Sequence, residues 1–76
     1  MRKNKVEYDS HVDALVAIAK RLSNSEERNK MASEEFYDKY SKGLLEDSLE
    51  MTEWANDYRH YLAVRHEIER QLRNAA

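Results

Sequence analysis

The sequence predicts an all-α protein of three helices, and the prediction rests on three observations. Proline is absent and glycine occurs once, so nothing breaks long helices and turn-rich β folds are disfavoured. Apolar residues recur at spacings of three and four along much of the chain. Helix start and stop residues divide that pattern into segments over about 10–30, 34–42 and 48–73.

The first helix starts at Asp9 or Ser10, either of which can cap orphan amides. Val12, Leu15, Val16, Ala19 and Leu22 then form an amphipathic stripe, and Leu15, Val16, Ala19 and Leu22 are its expected core contributors. Ser23-Asn24-Ser25 could interrupt the helix. A Glu26–Lys30 pair at i,i+4 supports its continuing to about residue 30. The second helix opens at Ser33, with Glu34 and Glu35 where the macrodipole favours acid. Phe36, Tyr37 and Tyr40 supply its apolar side, and Gly43 ends it as the left-handed residue just past the helix.

The third helix opens at Asp47 or Ser48, with Asp47 and Glu50 in capping-box register. Met51, Trp54, Tyr58, Tyr61, Ile68 and Leu72 follow at helical spacing, broken by Arg65 and widened by Ala55 and Leu62. Trp54 and Tyr58, four apart, are expected to stack. At about 25 residues this helix would be about 37 Å long. It outruns what two shorter helices can cover, so its C-terminal half is expected to pack on a second copy. Phe36, Tyr40, Met51, Trp54 and Leu62 are the expected core of the last two helices.

Seventy-six residues make a single helical domain, 1–76, with 1–8 as a flexible segment or a short strand. A domain of this size buries only about 60% of its unfolded surface, which favours self-association or a partner. Cysteine is absent, so disulfides and thiolate metal sites are excluded. No apolar run is long enough for a membrane span and no secretory signal is legible, so a cytoplasmic location is expected.

Charge is uneven. Residues 34–57 hold eight acids against Lys39 and Lys42, whereas residues 58–76 hold four arginines against Glu67 and Glu69. Six of the seven aromatics lie between Phe36 and Tyr61, inside or beside the acidic stretch. Acid with aromatic surface repels phosphate and suits a basic protein partner, and a solvated helix face would show the same charges. Glu46, Glu50, Glu53 and Asp57, at spacings of four, three and four, form an acidic ridge. With Tyr58, Tyr61 and Arg65 they make the expected partner-binding set.

Catalytic readings are weaker. His60 and His66 lie on different helix faces and His11 is distant, so the spacing of a helical zinc site is missing. Asp57-x-x-His60 is half of a carboxylate di-iron motif without its second copy. Glu50-x-x-Glu53 and Glu35-x-x-Asp38 run in reverse order relative to the magnesium site of all-helical nucleotide pyrophosphohydrolases. Neither a Ser–His arrangement nor a glycine-rich phosphate loop is present. The chain is therefore expected to be no enzyme and to need no cofactor or metal. A ribbon-helix-helix DNA-binding reading, with Val6 and Tyr8 in a strand over 5–9, draws on Arg2, Lys3, Lys5, Lys20 and Arg21. It would present Glu7 and Asp9 to phosphate, the wrong sign, so nucleic-acid binding by the chain alone is not expected.

Ser33 to Leu72 resembles a family of short helical proteins, common in cyanobacteria and some archaea, regarded as antitoxin-like. The resemblance lies in Ser33-Glu34-Glu35 before Phe36-Tyr37, the Gly43-x-Leu45-x-Asp47 turn, Glu53-Trp54-Ala55, and then Tyr58, Tyr61 and Arg65. Val12 to Leu22 matches the family's N-terminal helix more loosely. The resemblance implies a partner toxin, usually a small ribonuclease encoded next door, and brings no catalytic residues. Two other functions compete with it: a self-assembling helical module without a toxin, and the DNA-binding regulator above.

Overall fold

The computed structural model describes residues 10–75, and in them the chain forms three α-helices and no strand. They are α1 (His11–Asn29), α2 (Ser33–Ser41) and α3 (Leu49–Ala75). The segment read as a flexible arm or strand, including Val6 and Tyr8, lies outside the described residues.

Local chemistry accounts for most helix ends. Ser10 caps α1, its hydroxyl accepting from the Asp13 amide at 3.2 Å. The helix runs straight through Ser23-Asn24-Ser25 because Ser25 turns inward, where it is buried. It stops at Lys30, whose φ of 54° is left-handed, and the Lys30 and Met31 amides both return to the Glu26 carbonyl. Glu26 does not form the anticipated pair with Lys30: its carboxylate instead accepts from the Ser33 amide at 3.0 Å. That bond satisfies a first-turn donor of α2, where the capping position is held by Ala32, which has no side-chain acceptor. Gly43, at φ 74°, follows α2 as expected. A Cβ there would meet nothing, so only its backbone angle calls for glycine.

The entry to α3 differs in detail from the sequence reading. Ser48, not Asp47, caps it, its hydroxyl accepting from Met51 N at 3.2 Å. Asp47 is taken by the turn: its carboxylate accepts from the Tyr40 hydroxyl at 3.0 Å and from Thr52 at 3.2 Å. These bonds tie the end of α2 to the first turn of α3.

α1 and α3 pack antiparallel. Arg28 meets Glu50 and Arg21 meets Asp57, both at 3.2 Å, so a step of seven residues down α1 matches a step of seven up α3. One further step brings Ala14 level with Val64, and both are buried. The anticipated overhang of α3 is therefore shorter than expected. α1 covers it to Val64, Ile68 still packs on the core, and Leu72 is 67% exposed.

The core is Ile18, Leu22, Phe36, Trp54, Ala55, Tyr58 and Val64, with Ala14 at its edge. Leu15, Tyr40, Met51 and Leu62 pack against it half-buried. Two expected core residues do not belong to it: Val16 is 51% exposed and Ala19 is exposed. The buried face of α1 is Ala14, Ile18, Leu22 and Ser25, turned by about one residue, or about 100°, from the stripe read in the sequence. Residues 14–19 are all apolar, so periodicity allows either phase. Arg21 and Arg28, which reach Asp57 and Glu50 from the edge of the Ile18 face, select the observed one.

Trp54 lies nearly parallel on Phe36, with ring centroids 3.8 Å apart. Tyr58 meets Tyr37 of α2 at 5.1 Å and stacks on Tyr61 along α3 at 6.2 Å, while Trp54 stacks on Phe36 rather than on Tyr58. The Trp54 indole N–H donates to the buried Ser33 hydroxyl at 2.9 Å. Ser33, which opens α2 as expected, is thus also a core acceptor. Ser33→Ala would strand that donor and is expected to cost about 1–3 kcal/mol. In urea titrations the cost should largely vanish in a Trp54→Phe background, and an equal cost there would mean the bond contributes nothing.

Candidate functional site

Five of the seven residues expected to bind a partner line two grooves on opposite sides of the α1–α3 seam, and Glu46 and Arg65 line neither. Glu50, Glu53 and Asp57 fall on one side, together with Arg21 and Arg28 of α1, around a groove of about 230 Å³. Two of these acids are already engaged. Glu50 accepts from Asn29 Nδ2 at 3.1 Å and from Arg28 Nε at 3.2 Å, and Asp57 accepts from Arg21 Nε at 3.2 Å. The Asn29 and Arg28 bonds hold the Glu50 carboxyl below its usual range. Its contribution is therefore present above the unfolded carboxyl pKa and is lost as pH falls through the folded one. Glu50 and Asp57 thus form an electrostatic seam between α1 and α3, whereas Glu46 and Glu53 of the same ridge have no cation among the described ion pairs.

Tyr58 and Tyr61 line the second groove, of about 200 Å³, with Ala19, Ser23, Glu26 and Glu34. Two acids border it and none of its lining residues is a cation. Here acid and aromatic surface do coincide, although the acids are not those of the ridge. Glu34 and Glu26 carry no sequence signal for this role, because each satisfies a local helix rule that accounts for it. Tyr58 itself is only 9% exposed, so it offers this groove an edge, not a free ring. Tyr58, expected to bind a partner, is mostly taken up by the core, where Tyr37 of α2 meets it, and only its edge reaches this groove. Tyr61 is half-buried, with the Arg65 guanidinium 5.7 Å from its ring centroid. Glu46 is exposed in the α2–α3 turn, away from either groove lining.

Burial, and then the nearby Glu34 charge, raise the Tyr58 phenol above the usual tyrosine range. The folded form therefore holds Tyr58 neutral. That stability is full below the unfolded tyrosine pKa and is lost as pH rises through the folded value. In an absorbance titration one tyrosine should ionise later than the rest, and Tyr58→Phe should remove that late step. A late step that persists in this variant would place the shifted phenol elsewhere.

Among the described residues no group of three or more His, Asp or Glu side chains could hold a metal ion. No described helix is long and apolar enough to cross a membrane. In comparisons with family models, curated proteins and solved structures, the chain matches none.

Proposed function

We propose that this chain is an antitoxin-like protein of the cytoplasm, without catalysis of its own, that binds a small basic toxin, a ribonuclease, and neutralises it by occlusion. The observation that carries the reading is where the acid sits. Of the eight acids in residues 34–57, seven are exposed and Asp57 is half-buried, while Phe36, Trp54 and Tyr58 are withdrawn into the core. None of the described cations lies within ion-pair distance of Glu34, Glu46 or Glu53. Such acids can meet a cationic surface without first breaking an internal pair, and they speed association with it. The resemblance of Ser33 to Leu72 to antitoxin-like proteins supports the same reading.

Co-expression with the product of the adjacent gene tests it. The neighbour should arrest growth alone, lose that effect with this chain present, and co-purify with it. A neighbour that is neither toxic nor bound sinks the reading. Glu34→Lys and Glu53→Lys, one in each groove, should leave folding intact because exposed charges contribute little to stability. The variant that weakens capture identifies the groove used.

A second reading, a self-assembling helical module without a toxin, is favoured by one observation: Leu72 stands 67% exposed where α3 passes beyond its cover. A chain that stays monomeric in light scattering would remove it.

A further inference from the structure

The uncovered side of α3 is ordered in a way that fits a second copy of itself. The contacts of α2 on α3 described above end at Tyr58 and Arg59, where Arg59 Nη1 donates to the Tyr37 hydroxyl at 3.2 Å. Beyond that point Leu62, Arg65, Glu69 and Leu72 share one side of α3, within a sector of about 80° at about 100° per residue, with Leu62 half-buried at the margin of the core and the other three exposed. Their spacing is three, four, three, with apolar residues outside and opposite charges within. Turned end for end, the series meets itself: leucine faces leucine and arginine faces glutamate.

We propose that two copies pair antiparallel along this strip, about a two-fold axis level with Glu67. Leu62 of each copy would then lie against Leu72 of the second, and Arg65 against Glu69 of the second. An isologous interface must be self-complementary in this way. The proposal deepens the self-association that the reading above includes, and it needs no toxin.

Three further observations suit this occupant. Arg65 and Glu69 are each about half exposed, and their intrahelical separation of 3.7 Å is longer than a charge-assisted hydrogen bond, so both remain open to a closer partner. Val12 and Val16, 55% and 51% exposed, continue along α1 from Ala19, which borders Tyr58 and Tyr61 in the second groove. In the α1–α3 register Val16 is level with Leu62, so the two valines extend the apolar surface beside the strip and explain why α1 is apolar on its outer side. Finally, the same pairing brings Arg73 of the second copy level with Tyr61, beside the groove whose acids Glu26 and Glu34 have no cation among its lining. Arg73 lies in the last turn of α3 and makes none of the ion pairs among the described residues.

The test uses the full chain alone in sedimentation equilibrium. Wild type should dimerise. Arg65→Glu and Glu69→Arg each set like charges against each other twice, so each alone should weaken the dimer about tenfold or more. Mixed together, the two variants should recover the affinity as a heterodimer, although each has lost its intrahelical pair. Leu72→Asp should dissociate the dimer with its circular dichroism melt unchanged at low concentration. A wild-type chain that is monomeric up to about 1 mM overturns the pairing. So does a mixture no tighter than either variant. A monomer that still captures its neighbour's product would overturn this interface alone and leave the toxin reading standing.

Discussion

Replacing Trp54 with alanine is expected to unfold this domain. Trp54 is 1% exposed, lies on Phe36 and donates its indole N–H to the buried Ser33 hydroxyl. Alanine would remove that ring, leave a cavity between α2 and α3, and strand the hydroxyl. Large-to-small changes of this kind cost about 3–5 kcal/mol. A domain of this size holds little more in reserve. Trp54→Phe keeps most of the contact and should cost less, chiefly the lost hydrogen bond. Circular dichroism melts on both variants decide the matter. A cooperative Trp54→Ala transition at the wild-type temperature would show that the core lies elsewhere.

Ile18→Ala is expected to cost about 2–5 kcal/mol, while Val16→Ala, two residues earlier, should change stability by no more than about 0.5 kcal/mol. Ile18 is fully buried between the helices and Val16 is half-exposed on the outer side of α1. Both changes delete apolar atoms and both favour helix, so the contrast reports only which side of α1 faces the core. The measurement is urea denaturation at low protein concentration, where self-association is minimal. Equal costs, or a larger one at Val16, would mean that α1 is turned the other way.

The same contrast shows how far the sequence could be read. Helix number and extent were legible because caps, breakers and charge at helix ends act within a few residues. Ser10, Gly43 and the acids at the start of α2 carry that information locally, and each observed boundary falls within two residues of the one read. Trp54, Phe36 and Leu22 were legible as core because large apolar residues on an amphipathic stripe have few other places to go. The phase of α1 was not, since its apolar residues surround more than one face and no local rule prefers either.

The acidic ridge shows the same division. Its spacing of four, three and four is a property of the chain, but whether those acids face solvent depends on what α1 lays beside them. Antiparallel packing brings Arg21 to Asp57 and Arg28 to Glu50, across 36 and 22 residues of sequence, and turns much of the ridge into an internal seam. The packing of α1 and α2 on α3 equally brings Glu26 and Glu34 to the edges of Tyr58 and Tyr61, which nothing in the spacing of those residues connects. The sequence by itself determined that this protein is helical, where each helix begins and ends, and that its middle is rich in acid and aromatic residues. Only the tertiary structure decided which aromatics are hidden, which acids are neutralised and which side of α3 is left open. Capping and periodicity are near-neighbour effects, whereas burial and ion pairing depend on distances that exist only after the helices have packed.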